Sequence, residues 1–233
     1  MKNNRFWNWV RNEETGASEM YLYGAIAEST WFENDITPAM FRSELQKHSG
    51  DVTVFINSPG GDVFAASQIY TMLRNHPGKV TVKIDGIAAS AASVVAMAGD
   101  ETLISPTGML MIHDPMTLAY GNKADMEQTI TMLEEVKESI LNAYVQKSHQ
   151  SRETLSQLTS EETWMNAEKA LELGLVDGIL FADSPAPSTQ TEPQPVQYSA
   201  KHTQNTLLHK LSAVAPIGIP IDQLEKRLAL LKD

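Results

Sequence analysis

From residue 52 to residue 98 the chain twice runs an apolar segment into a turn of small residues and then into a helical segment. Residues 52–57 read as a buried-type strand, and 65–75 as a helix in which Ile69, Met72 and Leu73 share one face. The breaker cluster Asn75-His76-Pro77-Gly78 ends that helix. Residues 79–84 alternate as a second strand, and an Ala-rich helix is expected from about Ser90 to Ala98, stopped by Gly99-Asp100. Short strands follow at 101–104 and 109–113. Strand and helix alternating at this spacing predict an α/β fold, a parallel core with right-handed crossovers.

The flanking segments extend this core. Residues 20–26 alternate like a first strand, and Thr37-Pro38 marks the N-cap and first turn of a helix through Lys47. A long helix over 123–148 carries an apolar stripe of Met126, Ile130, Leu133, Val136, Ile140, Leu141 and Tyr144. It is long for a domain of this size, so it is expected to project and meet a partner subunit. Helices at 151–158 and 166–173 and a strand near 176–181 close the core. The predicted organisation is an N-terminal arm (1–18) with Phe6, Trp7 and Trp9 packing on a neighbour, a core domain (19–182), and a tail (183–233). In the tail, 183–197 reads as a Pro/Ser/Thr/Gln-rich linker, and Ile221, Leu224, Leu228 and Leu231 as a short amphipathic helix.

Composition removes several function classes. The 233 residues contain no cysteine, which excludes disulfides and thiolate chemistry. A net charge of −11, from 18 basic and 29 acidic residues, argues against a nucleic-acid partner. The six histidines form no metal-ligand spacing, so no metal is expected. Neither a signal-peptide pattern nor a membrane-length apolar run is read in the sequence, so a cytoplasmic protein with no membrane partner is expected.

Three places carry residues suited to chemistry. In Asp85-Gly86-Ile87-Ala88-Ala89-Ser90-Ala91-Ala92 one hydroxyl stands among small residues at a strand-to-helix turn. There it reads as an activatable nucleophile or as a plain helix cap. In Asn57-Ser58-Pro59-Gly60-Gly61-Asp62 two glycines free the backbone to present N–H groups to an oxyanion, or to form a simple tight turn. No phosphate-loop lysine follows, which speaks against nucleotide binding. His113 ends an apolar run, as a general base or a structural histidine. Asp114 is a poor orienter for it, since consecutive strand residues face opposite ways. Glu161 and Glu162 are further candidates, readable equally as a solvated pair flanking a helix.

In this order the elements resemble the Clp-type self-compartmentalising serine peptidases, over about residues 20–182. The resemblance is carried by Phe55-Ile56-Asn57-Ser58-Pro59-Gly60-Gly61, Gly86-Ile87-Ala88-Ala89-Ser90, Met111-Ile112-His113-Asp114-Pro115 and the segment from Ala167 to Asp177. It implies a Clp/crotonase-like spiral of ββα units with a projecting handle helix and a flexible C-terminal tail. It also implies Ser90 as nucleophile, His113 as general base, and the N–H groups of Gly61 and Ala91 as oxyanion hole. Val63, Phe64 and Met116–Leu118 fall where relatives hold substrate backbone as an added strand. The family's third member is normally an aspartate. Alignment on Trp164-Met165-Asn166-Ala167 puts Glu162 in its place, with Glu161 as the other choice.

Further traits resemble the phage head maturation (prohead) proteases. These are Phe6-Trp7-Asn8-Trp9, the run from Gly60 to Ser67, the doubled Ala-Ala-Ser-Ala-Ala-Ser, Ala96-Met97-Ala98-Gly99-Asp100, Glu162-Thr163-Trp164, and the tail. That likeness implies an ATP-independent endopeptidase, needing no cofactor, that assembles as a homo-oligomeric ring and cleaves phage scaffold or coat proteins in the host cytoplasm or prohead. The alternatives are a housekeeping Clp subunit partnered with an unfoldase ATPase, a crotonase-like acyl-CoA enzyme, and a non-catalytic assembly protein on the same fold.

Overall fold

A computed structural model describes residues 10–11, 18–28 and 37–182, all within the unit Met1–Ala186. The aromatic patch of the arm, the linker and the terminal helix expected from the sequence lie outside the described residues. The described chain runs β1 (Val10–Arg11), β2 (Ser18–Tyr23), α1 (Pro38–Leu45), β3 (Val52–Ser58), α2 (Val63–Arg74), β4 (Val80–Ala89) and α3 (Ala91–Ala96). It continues through β5 (Glu101–Ile104), β6 (Met109–Ile112), α4 (Lys123–Lys147), α5 (Arg152–Ser160), β7 (Thr163–Asn166), α6 (Ala167–Glu172) and β8 (Gly178–Ile179).

The strands order β1-β2-β3-β4-β5-β8, with β6 beside β4 and β7 beside β6. Neighbours from β2 to β8 run parallel, as does the β4–β6 pair. Among the described residues only β1 against β2 and β7 against β6 are antiparallel. The predicted α/β class, a parallel core alternating with helices, therefore holds. Val10–Arg11, assigned from sequence to an arm reaching a neighbour, pairs with β2 of its own chain.

Alternation along the strands builds the core. Val52, Val54 and Ile56 of β3 and Val80, Val82 and Ile84 of β4 are buried. They share one cluster with Ile69 and Leu73 of α2, Val95 of α3 and Leu141 and Tyr144 of α4. Helix starts follow their caps: Thr37 Oγ1 accepts from Met40 N–H, and Asp62 Oδ1 accepts from Ala65 N–H. That Asp62 cap starts α2 two residues before the expected Ala65, so Val63 and Phe64 are helical.

The strand expected to end at Ile84 continues to Ala89. Register with β3 is regular to Ile56↔Ile84 and resumes at Ser58↔Ala88, so three residues of β4 stand against Asn57 alone. This bulge has a specific support. The Asn57 side chain accepts the Ile87 N–H, and a Cβ at Gly86 would lie 2.5 Å from Asn57 Oδ1. Before the bulge β4 pairs with β5; after it, Ile87–Ala89 pair with β6. A bulge re-aims a strand, and here it carries β4 from one neighbour to another just before Ser90.

Helix α4 spans 25 residues and opens with a capping box between Asn122 and Asp125. Its second half packs on the core through Val136, Ile140, Leu141, Ala143 and Tyr144. In its first half no residue is fully buried, and Ile130 is 57 % exposed. The apolar stripe thus divides into a packed half and a projecting half. Replacing Leu141, fully buried, by alanine is expected to cost about 2–5 kcal/mol. Glu134→Ala on the projecting half should stay within about 0.5 kcal/mol. Urea denaturation of both variants measures the contrast.

Candidate active site

The end of β4 and the end of β6 deliver two side chains to one point. Their parallel pairing ends at Ala89↔Met111, and Ser90 N–H donates to Met111 O at 3.0 Å. Ser90 then leaves the sheet with φ 54° and ψ −129°, a left-handed conformation rare for a residue with a side chain, and α3 begins at the next residue. Such a turn costs on the order of 1–3 kcal/mol and persists only where its surroundings hold it. His113 follows the last residue of β6, and its Nε2 lies 2.7 Å from Ser90 Oγ. The nearby Ser93 is fully buried, with its hydroxyl bonded to Ser90 O and Tyr144 Oη. It is therefore occupied in packing.

A carboxylate comes beside the histidine just ahead of a strand that the sequence reading missed. β7 runs antiparallel to β6 with Met111↔Trp164 and Ile112↔Thr163, and the next pair in that register is His113 with Glu162. Glu162 stands just past the C-cap of α5 with φ 50°, its N–H donating to Thr159 O. Glycine is the usual occupant of that helix-stop position. The Glu162 carboxylate acts on the His113 imidazole electrostatically and accepts a 3.2 Å bond from Trp164 Nε1–H. Glu161, one residue earlier, turns its side chain to Gln157 Nε2 at 2.8 Å. Asp114 faces elsewhere too, bonded to Lys137 Nζ at 2.8 Å and Ser160 Oγ at 3.0 Å. The Thr163-Trp164-Met165 run was the available signal for this strand, but the helix expected from residue 166 obscured it.

The glycine loop after β3 completes the geometry. Gly60 has φ 91° and Gly61 φ 145°. A Cβ on Gly60 would lie 2.7 Å from Ser90 Cβ, so only glycine lets the loop come this close. Ile26 bridges the loop in parallel fashion: its N–H donates to Gly60 O, and Asp62 N–H donates to Ile26 O, both at 2.9 Å. Those bonds use the peptide groups flanking Gly61, so the Gly61 N–H points away from Ile26. Gly61, Ser90, Ala91 and His113 line one cleft. Ala91 is the first residue of α3, and its N–H has no carbonyl of its own helix within reach.

The rest of the cleft is mainly apolar, walled by Val94 of α3 and by Leu133, Val136 and Ile140 of α4. Val63, Phe64 and Met116 also line it. Of the residues expected to hold substrate backbone, Val63 and Phe64 present the first turn of α2 rather than extended chain. Met116–Leu118 lies in a segment without regular structure, and Leu118 is 82 % exposed. Among the described residues no group of three or more His, Asp or Glu is placed to hold a metal ion. Among them, too, no helix is long and apolar enough to cross a membrane.

A serine held in a left-handed turn against a histidine at the ends of adjacent strands is an arrangement suited to serine-hydrolase chemistry. Residues 7–183 match the Clp protease family, and the chain belongs to that family. Its coarse class is thereby a serine peptidase of Clp type. Similar proteins include the ATP-dependent Clp protease proteolytic subunit 1 of Chlamydia muridarum, 32% identical over 143 residues, covering 60% of this chain and 74% of the relative. The ATP-dependent Clp protease proteolytic subunit of Leuconostoc citreum is 30% identical over 151 residues, covering 63% and 76%. That of Bacteroides thetaiotaomicron is 33% identical over 133 residues, covering 56% and 60%.

Burial pushes the His113 imidazole below the ordinary histidine range, while the carboxylates of Glu162 and Asp114 push it back less strongly. The ring therefore stays neutral, able to accept a proton, to lower pH than a free histidine. The unfolded chain takes up a proton near the usual value of about 6.5, whereas the folded chain does so only below it. Folding stability is therefore expected to fall as pH drops from about 6.5 through the lowered value. His48 is lowered by burial as well and contributes a slope of the same sign. In His113→Gln the share due to His113 should vanish and that of His48 remain, as read from denaturation midpoints across pH 4–8 (about the span of histidine titration).

Proposed function

We propose that the chain is an endopeptidase in which Ser90, His113 and Glu162 form the catalytic triad. The observation that carries this reading is the 2.7 Å contact between Ser90 Oγ and His113 Nε2. With Nε2 toward the serine, Nδ1–H is left to donate to Glu162, which fixes the tautomer. Ser90 Oγ attacks the scissile carbonyl carbon while its proton passes to His113 Nε2. The N–H groups of Gly61 and Ala91 hold the tetrahedral oxyanion. Collapse breaks the C–N bond, the imidazolium protonates the leaving amine, and water then releases the acyl group by the same route. The placement of Glu162 at a position suited to glycine supports its role, since backbone strain of this kind collects at working sites. The apolar cleft suits an apolar substrate side chain next to the cleaved bond, and Met116–Leu118 offers backbone to an extended peptide.

At the level of biology, the motifs shared with phage head maturation proteases support an ATP-independent enzyme. It acts as a homo-oligomer on scaffold or coat-protein segments, in the host cytoplasm or the assembling prohead, without a cofactor. The projecting half of α4 supplies exposed apolar residues for contacts between copies. A second reading draws on the relatives, which are proteolytic subunits of ATP-dependent Clp proteases: a subunit that works with an unfoldase ATPase.

Treatment with a fluorophosphonate followed by intact-mass spectrometry is expected to give one adduct on the wild type and none on Ser90→Ala. His113→Ala should react far more slowly. Absence of an adduct in every oligomeric state would overturn the peptidase reading. Glu162→Gln is expected to lower kcat by roughly ten-thousand-fold, the loss typical when a triad carboxylate becomes an amide. Activity on folded protein substrates that appears only with ATP and a co-purifying ATPase would favour the second reading.

A further inference from the structure

We propose that Ser58 is a positioning residue that sets the aim of the Gly61 N–H toward the reacting carbonyl. The inference rests on the peptidase reading above and concerns a side chain to which the mechanism gives no part. Ser58 is fully buried at the last position of β3, just past the bulge. Its hydroxyl donates to Gly24 O at 2.5 Å and accepts the Gly60 N–H at 3.1 Å. A serine hydroxyl has one proton to give, so the bond to Gly24 fixes its orientation and directs a lone pair at Gly60.

A donor census of the loop shows what this achieves. Pro59 has no N–H. The Gly60 N–H is held by Ser58, and the Asp62 N–H by Ile26 O. The Gly61 N–H faces away from Ile26, and Gly61 lines the cleft together with Ser90 and His113. The segment carrying Gly24 and Ile26 is itself stapled to the loop, since Gly24 N–H donates to Asn57 O at 3.1 Å and Ile26 N–H to Gly60 O at 2.9 Å. Ser58 is the side chain that ties both ends of this frame, and the residues it steadies are two consecutive glycines. A diglycine turns freely. Without the hydroxyl the loop re-aims its peptide groups to satisfy the stranded Gly60 N–H, instead of unfolding the sheet. An oxyanion donor acts only within about 2.7–3.1 Å of the developing charge, so a small rotation costs the transition state more than the bound substrate.

The test compares wild type, Ser58→Ala and Ser58→Cys on a short fluorogenic peptide with an apolar residue before the cleaved bond. Each is also titrated with the peptide aldehyde of the same sequence, whose hemiacetal oxygen occupies the oxyanion position. Loss of a whole oxyanion donor costs roughly 100- to 1,000-fold in kcat. A mis-aimed donor is expected to cost Ser58→Ala roughly 10- to 100-fold, with KM within about twofold. Aldehyde affinity should fall by the same factor as kcat/KM. The role is overturned if KM rises with kcat unchanged, or if kcat falls while aldehyde affinity holds. Should Ser58→Ala fail to fold, as judged by circular dichroism, Ser58→Cys keeps the volume with a weaker hydrogen-bonding group and is read against the same criteria. A wild type that neither takes the fluorophosphonate nor cleaves peptide overturns the peptidase reading and this inference with it. A reactive wild type whose Ser58 variants keep wild-type kcat and aldehyde affinity, or lose them in either of the patterns just named, overturns this inference alone.

Discussion

The close approach of the Gly60–Gly61 loop to Ser90 is the contact on which the rest of the site depends. Ser90 occupies a backbone conformation that an isolated chain would abandon. It is held from one side by the β6 carbonyl of Met111 and from the other by a loop with no side chain to keep it away. Both supports exist because β4 bulges at Asn57 and changes partners on its way to the turn. Packing in the sheet, remote from any chemistry, thereby fixes the direction of one hydroxyl.

The same logic places the histidine and the carboxylate. β6 and β7 are four residues each, and their antiparallel ladder sets His113 and Glu162 opposite one another as it ends. Burial disfavours the charged imidazole, and Glu162 partly offsets that effect. The result is a base poised below its solution range beside a group that stabilises its charged form, an arrangement suited to taking and returning a proton. Membership of the Clp protease family gives this geometry its chemical class.

Much of this was legible in the sequence, for identifiable reasons. Apolar runs alternating with helical segments announce parallel strands, and Ser90 and His113 stand out as polar residues at the ends of such runs. The limits are equally physical. Gly86 reads locally as a stop, because nothing in the sequence shows that Asn57 on another strand waits to accept the next N–H. Glu161 and Glu162 are indistinguishable as letters; a helix stop and a strand register separate them, sending one to Gln157 and the other beside His113. The stripe on α4 has helical spacing throughout, but spacing cannot say that only its second half has a core to meet. The helix expected from Ala65 starts at Val63 because Asp62 caps it, a role that a lone aspartate after two glycines does not announce. Ser58 stands in the same motif as the glycines, but a buried hydroxyl between a strand and a proline has no periodic signature that announces its bonds.

The left-handed backbone at Glu162 also narrows the routes by which this position can change. Aspartate and asparagine accept that conformation more readily than most residues, and β-branched side chains hardly at all. A mutation to aspartate would ease the turn yet draw the carboxylate back by one methylene, so under the triad proposed above the exchange calls for β6 and β7 ends that lie closer. Position 162 and the spacing of its two strands are therefore expected to drift together, as a linked pair of characters, rather than one at a time.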